Sequence, residues 1–291
     1  MRIQTFTIVA GSEACNAHCP YCVSRMTPGY DLGSRLREVN WRNFRIGCQF
    51  AKDSGVSTVL ITGKGEPTLF PEQLTAFLKH LQPFAFPFIE IQTNGIAIAK
   101  GQPVTERHLR EWHELGLTLI ALSIVHWRSE RNKEIYQPDA AEYYALPALI
   151  ESLHKAGFAI RLSCMMARGY VDSLQGVDEL ARFARDNGVE QLTVRSIDKP
   201  QKSADDAVAR WVGEHELPPE TIAQMREFLD AKAARLMELM HGAVVYDYLG
   251  QNLCLGSCLT IDPRDEKIRQ LIFFPDGHLR YDWRYPGAIL L

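Results

Sequence analysis

The chain has 291 residues, of which 46% are hydrophobic and 23% charged, a composition that supports a packed globular protein and argues against disorder. A formal net charge of −3 gives no overall basic field for nucleic acid, and no apolar run reaches the roughly 20 residues of a bilayer span. The opening Met1-Arg2-Ile3-Gln4-Thr5-Phe6-Thr7 has no export-signal pattern, so the seven cysteines read as cytoplasmic thiols or metal ligands, not as a disulfide framework.

Through the first two thirds, short β-branched runs alternate with longer amphipathic stretches. Strands are predicted at 3–9, 58–62, 88–92, 117–124, 158–165 and 191–197, and helices near 36–53, 71–81, 105–115, 140–156 and 173–187. Strict alternation predicts an α/β fold with a parallel sheet and right-handed crossovers. Six strands are too few for a closed eight-stranded barrel, which leaves a partial (β/α)6 barrel or a doubly wound sheet. After Lys199-Pro200 the pattern changes. Residues 201–216 are polar, Pro218-Pro219 opens a helix expected through 221–241, and runs at 270–274 and 278–283 flank Pro275-Asp276-Gly277 as a hairpin. The expected organisation is a barrel over 1–199 and a helical and hairpin extension over 200–291.

Directly after the first strand stands Cys15-Asn16-Ala17-His18-Cys19-Pro20-Tyr21-Cys22, which puts three thiols on one tight loop. Closed zinc sites and most iron–sulfur clusters take four protein ligands. Three close thiolates suit a [4Fe–4S] cluster with one iron left open. The alternative is a structural zinc site completed by His18 or a distant cysteine. The second strand ends in Thr62-Gly63-Lys64-Gly65-Glu66-Pro67-Thr68-Leu69. Its glycines let backbone approach a ligand, and Glu66 offers a carboxylate to an ammonium group. It spells no nucleotide P-loop, because Lys64 is followed by Gly-Glu.

Together, these two segments resemble the radical S-adenosylmethionine superfamily, whose marks are a C-x3-C-x-aromatic-C loop after strand one and a Gly-Gly-Glu-Pro-like turn after strand two. The resemblance covers roughly residues 3–197. It implies that Cys15, Cys19 and Cys22 ligate three irons of a [4Fe–4S] cluster while S-adenosylmethionine chelates the fourth. It further implies that Glu66 and Gly65 hold the methionine amine and that Tyr21 packs near the adenine. Lys64 departs from the glycine of many members, which puts the ribose contacts in doubt. Within the superfamily, Gln92-Thr93-Asn94-Gly95, Leu122-Ser123-Ile124 and Met166-Ala167-Arg168-Gly169-Tyr170-Val171 are similar to turns of the molybdenum-cofactor GTP 3′,8-cyclase subgroup. The serine of that subgroup reaches the S-adenosylmethionine carboxylate. The cyclase itself ends in Gly-Gly and carries three C-terminal cysteines; this chain ends Gly287-Ala288-Ile289-Leu290-Leu291 and has Cys254 and Cys258 in that region.

Alternation along the strands sorts the remaining polar residues onto one face. Glu90, Gln92 and Asn94, then Arg161 and Ser163, then Thr193 and Arg195 point the same way, into the barrel. In a dry core unpaired charges would cost several kcal/mol each. They indicate either a bound polar ligand or an internal Glu90–Arg161 or Glu90–Arg195 pair. Asn94, Ser123, Ser163 and Arg195 join Tyr21, Gly65 and Glu66 as expected cofactor-binding residues, and no residue is assigned as catalytic. Cys164 and Cys48 read as buried structural thiols. Cys254 and Cys258 read as packing thiols, a redox pair or a partial auxiliary cluster site. His126-Trp127 and the aromatic residues Tyr281, Trp283 and Tyr285 are further candidates for the barrel mouth, or for ordinary packing. The functional expectation is an enzyme that cleaves S-adenosylmethionine reductively to a 5′-deoxyadenosyl radical and takes hydrogen from an unidentified, anionic small molecule. Its partner would be a reductant such as flavodoxin or ferredoxin. An activase or a peptide-modifying enzyme would share the first 200 residues; a non-catalytic iron–sulfur or zinc protein would have no use for Glu66 or Ser123.

Overall fold

The computed structural model describes residues 3–30, 32–139, 142–200, 202–239, 242–257 and 268–291. Six strands follow one another in chain order: β1 (Thr5–Ala10), β2 (Thr58–Gly63), β3 (Phe88–Thr93), β4 (Leu119–Ile124), β5 (Ala159–Met166) and β6 (Gln191–Ser196). All are parallel neighbours, with Ile8 opposite Ile61, Ile61 opposite Ile91 and Leu162 opposite Leu192. Their outward side chains, Phe6, Ile8, Val59, Ile61, Ile91, Ile120, Leu162 and Val194, are almost fully buried in one core. The crossover helices cover that face. Among them are α2 (Trp41–Asp53), α3 (Pro71–Leu81), the single turn α4 (Ile96–Ala99), α5 (Glu106–Glu114), α7 (Leu146–Lys155) and α8 (Leu174–Asp186).

Local chemistry sets the helix starts. The Asn40 side chain accepts the Asn43 N–H, Ser173 accepts the Gly176 N–H, and Thr105 and His108 cap each other at the head of α5. The helix expected from 36 therefore begins at Trp41. The helix expected from 140 begins at Leu146, with Pro147 in its first turn, and a separate α6 (Ser129–Tyr136) precedes it. Cys48 and Cys164 are fully buried in the helix-covered core, as inert apolar thiols are.

The region after residue 199 extends the same sheet on both flanks. β9 (Gln251–Ser257) lies parallel to β6, and β10 (Gln270–Phe273) lies parallel to β1. With β7 (Ala234–Glu238), β8 (Val244–Tyr248) and β11 (Leu279–Arg280), the strand order is β11-β10-β1-β2-β3-β4-β5-β6-β9-β8-β7, an open sheet in which the six expected strands sit centrally. The expected hairpin is present as β10 and the short antiparallel β11 (Leu279–Arg280). Asp276 holds its turn through a two-pronged ion pair with Arg280, at 2.9 and 2.7 Å. The helix expected through 221–241 is shorter: α10 (Pro219–Lys232) stops, and Ala234–Glu238 forms β7, antiparallel to β8 (Val244–Tyr248). The polar run 201–216 contains α9 (Asp206–His215), capped by Asp205, whose carboxylate accepts the N–H groups of Ala207 and Val208. Among the described residues, no helix is long and apolar enough to cross a membrane.

Candidate active site

Loops after parallel strands gather at the carboxyl ends of the sheet, where α/β folds place their chemistry. Here the loop after β1 carries the three cysteines, and the turn after β2 lies directly against it. Gly65 N–H donates to the Ser12 carbonyl at 2.9 Å, and Glu66 N–H to the Ala14 carbonyl at 3.0 Å. Gly65 is forced by this approach: a Cβ there would stand 2.0 Å from the Ala14 oxygen. The close backbone contact that the glycine permits is thus with the cysteine loop. The other side of the loop is tied to α6 and to the segment after it, by His18 N–H to Tyr136 O at 2.7 Å and by Asp139 N–H to Asn16 O at 3.2 Å.

Cys22 stands at the N-cap position of the four-residue helix α1 (Val23–Met26), and its N–H donates to the Cys19 carbonyl. Burial pushes the Cys19 thiol well up, with Cys22 and Cys15 adding to the effect. Cys15 is exposed as a residue, yet its surroundings push its thiol up to about 12, chiefly by burial and then by the Glu66 charge. Such thiols stay protonated until a cation displaces the protons. His18, the candidate fourth zinc ligand, is engaged elsewhere, with Nε2 at 2.6 Å from Asp139 Oδ1 on an exposed pair. Among the described residues, no three His, Cys, Asp or Glu side chains gather as the ligands of a single metal ion. A cubane cluster instead takes one thiolate on each of three irons.

Glu66 is buried and its carboxylate is a junction. Oε1 accepts the Thr68 N–H at 3.0 Å, the Thr68 hydroxyl at 2.6 Å and the Thr93 hydroxyl at 2.7 Å; Oε2 accepts the Asn94 N–H at 2.9 Å. Burial raises its pKa, and these four donors work against the rise. The side chain thereby fastens the turn after β2 to the end of β3, with Oε2 keeping capacity for a further donor. Asn94 continues the chain of contacts: its side-chain amide donates to Asn16 Oδ1 at 2.7 Å, on the cysteine loop. Tyr21 is buried beneath that loop, edge-on to Tyr136 at 6.4 Å and tilted against Trp211 at 6.1 Å.

Ser123, Ser163, Thr193 and Cys254 are paired across β4, β5, β6 and β9 in one belt. Gln92 donates to Ser123 Oγ at 3.3 Å. Ser163 is only 1% exposed, and its hydroxyl has no partner among the described residues. Of the two ion pairs left open by the sequence, Glu90–Arg161 forms, two-pronged at 2.9 and 3.0 Å. Arg195, two residues beyond Thr193, lies within electrostatic reach of Cys254 and of Arg269, a residue the sequence reading did not single out. Cys254 thus belongs to this polar belt; Cys258 lies outside the described residues. His126 is a satisfied loop residue: its Nδ1 accepts the Arg128 N–H at 3.0 Å, and burial, then Arg131 and Arg128, hold its pKa down at about 4. Trp283 packs edge-on against Phe274 at 5.3 Å, while Tyr281 and Tyr285 are exposed.

Residues 9–184 match the family model of the Radical SAM superfamily, a span of more than half the chain, and the chain belongs to that superfamily. Members use a [4Fe–4S] cluster and S-adenosylmethionine. The GTP 3′,8-cyclase of Acidothermus cellulolyticus is 29% identical over 186 residues, covering 62% of this chain and 48% of the cyclase. The chain thus spans about half the length of that curated relative. Among solved structures, Streptococcus suis SuiB bound to S-adenosylmethionine superposes with a TM-score of 0.60 at 15% identity, covering 99% of this chain and 62% of that one. The structure of anSMEcpe with bound AdoMet gives 0.52 at 14% identity, covering 79% and 61%. At these identities, the likeness establishes the fold. The residues of this chain suit the superfamily's two cofactors: the three free thiols of one loop would hold three irons of a cluster, and the Ser163 hydroxyl, without a partner among the described residues, offers a polar ligand a contact.

Proposed function

We propose that the chain is a radical S-adenosylmethionine enzyme in which Cys15, Cys19 and Cys22 hold the cluster and the polar barrel interior holds S-adenosylmethionine and an anionic small molecule. Bound there and given an electron by a donor of the flavodoxin or ferredoxin class, the two cofactors would supply the radical chemistry that removes hydrogen from the substrate. The protein's own contribution is position and exclusion of water. Glu66 fixes Asn94 and the Gly65 turn against the cysteine loop. Ser123 and Ser163 offer hydroxyls to the methionine carboxylate, and Tyr21 forms the apolar floor beneath the loop. Arg195, on the same inward face as Thr193 and within electrostatic reach of Arg269, brings positive charge to that interior and favours an anionic substrate. The observation that carries this reading is the cysteine loop bonded to the Gly65-Glu66 turn at the mouth of a polar interior.

The test is product formation without substrate. Anaerobically reconstituted protein should hold about four irons and four sulfides per chain. Given a strong reductant and S-adenosylmethionine, it should release 5′-deoxyadenosine. Full cluster loading with no 5′-deoxyadenosine would leave a passive iron–sulfur protein instead.

A further inference from the structure

Lys64 occupies the position where this chain leaves the superfamily pattern, and its side chain turns towards the cysteine loop. It is 6% exposed. Its Nζ donates to the Ser24 carbonyl at 2.6 Å, the Thr27 carbonyl at 3.2 Å and the Thr27 hydroxyl at 2.6 Å. An ammonium group has three donors and no acceptor, so all three are spent and none is left for a ribose. The acceptors belong to α1 and to Thr27 at its C-cap, and Cys22 stands at the N-cap position of the same short helix. The Ser24 carbonyl also accepts the Thr27 N–H at 3.4 Å and the Thr27 hydroxyl at 3.2 Å, so the buried cation joins and neutralises a knot of oxygens that closes this turn. A four-residue helix cannot hold itself together. Lys64 supplies one anchor, and the Arg25–Asp205 ion pair at 2.6 Å supplies another, from the surface. Three oxygen acceptors around Nζ suit the ammonium form, which has three donors and no acceptor; burial draws its pKa down to about 8, with Cys22 and then Glu13 acting against the fall.

We propose that Lys64 is a positioning residue that clamps the short helix following Cys22 and places a fixed buried positive charge beside the cluster, making the cluster easier to reduce. The inference rests on the assignment of the cysteine triplet as the cluster site. A buried cation favours whichever redox state carries more negative charge, and low local dielectric strengthens the effect. The departure from glycine would then tune the electron acceptor and would leave the ribose untouched.

The experiment compares wild type with Lys64→Met, which keeps the stem and removes the charge, Lys64→Gln, which keeps two donors without the charge, and Lys64→Arg, which keeps the charge. Each is reconstituted anaerobically and titrated by spectroelectrochemistry without S-adenosylmethionine. The oxidised-to-reduced ratio at the wild-type midpoint should rise about tenfold in Met and Gln, a shift of about 59 mV for one electron. Arg should restore the wild-type value. Loading and a midpoint equal to wild type in Met and Gln would overturn the inference. So would loss of the whole fold in both, seen by circular dichroism, which would make Lys64 a general core residue. A wild type that takes up zinc in place of iron and sulfide would overturn the assignment of the site itself.

Discussion

Cys19→Ala is expected to reduce 5′-deoxyadenosine release to background while leaving the fold in place. Cys19 is the middle thiol of the loop, and the contact that shapes the turn is its backbone carbonyl, which receives the Cys22 N–H at 3.3 Å. Alanine keeps that bond and removes only the sulfur. Two thiolates cannot hold a cubane that must also leave one iron open. Losing an outer hydrogen-bond partner of a metal ligand already costs about 10- to 100-fold in affinity or activity, and losing the ligand itself exceeds that. Iron and sulfide content measured beside far-ultraviolet circular dichroism checks the expectation: helix content unchanged, iron lost. Activity persisting in this variant would remove the triplet from the site.

Glu66→Gln is expected to weaken both the fold and S-adenosylmethionine binding. Two backbone N–H groups, of Thr68 and Asn94, reach the two different oxygens of the carboxylate, at 3.0 and 2.9 Å. A glutamine amide has a single oxygen, so its NH2 must face one of those donors. Hydrogen bonds to charged groups contribute about 1.5–3 kcal/mol, and a buried donor left unmet adds a cost of similar size. Stability to denaturant should fall by about 2–3 kcal/mol. The turn that carries Gly65 and Asn94 loosens with it, so affinity for S-adenosylmethionine should fall about 10- to 100-fold, the equivalent of about 1.4–2.8 kcal/mol. Urea unfolding and equilibrium binding separate the roles of the side chain. A fall in affinity with stability unchanged would mean that Glu66 meets the cofactor directly and does not brace the turn.

The central sheet was readable from sequence because each βα unit carries its own signals. Strands β1 to β6 are short β-branched runs, and the helices between them start at polar caps such as Thr105 and Ser173. The cysteine spacing is equally local. Contacts between elements distant in sequence were not readable. The β9 and β10 strands flank the barrel because they pair with β6 and β1, and no periodicity within residues 251–257 or 270–273 states that. The segment 234–238 has nothing in its composition to end a helix; antiparallel pairing with β8 overrides its helical tendency. In the site, strand alternation placed Glu90 and Arg161 on one face but could not choose between Arg161 and Arg195 as the partner. Glu66 offered a carboxylate, yet its donors come from Thr68, Thr93 and Asn94 on two separate strand ends. Lys64 could have turned to either side of its strand end. Its targets, Ser24 on α1 and Thr27 at the C-cap, lie 40 and 37 residues earlier in the chain.

The most direct test of the cofactor site is electron paramagnetic resonance of the reduced, anaerobically reconstituted protein, recorded with and without S-adenosylmethionine. An iron left open by Cys15, Cys19 and Cys22 should take the cofactor, so the signal should be that of a reduced [4Fe–4S] cluster and its g-values should move when S-adenosylmethionine is added. A cluster signal that ignores S-adenosylmethionine, or zinc in place of iron and no signal at all, would contradict the assignment of the three thiols.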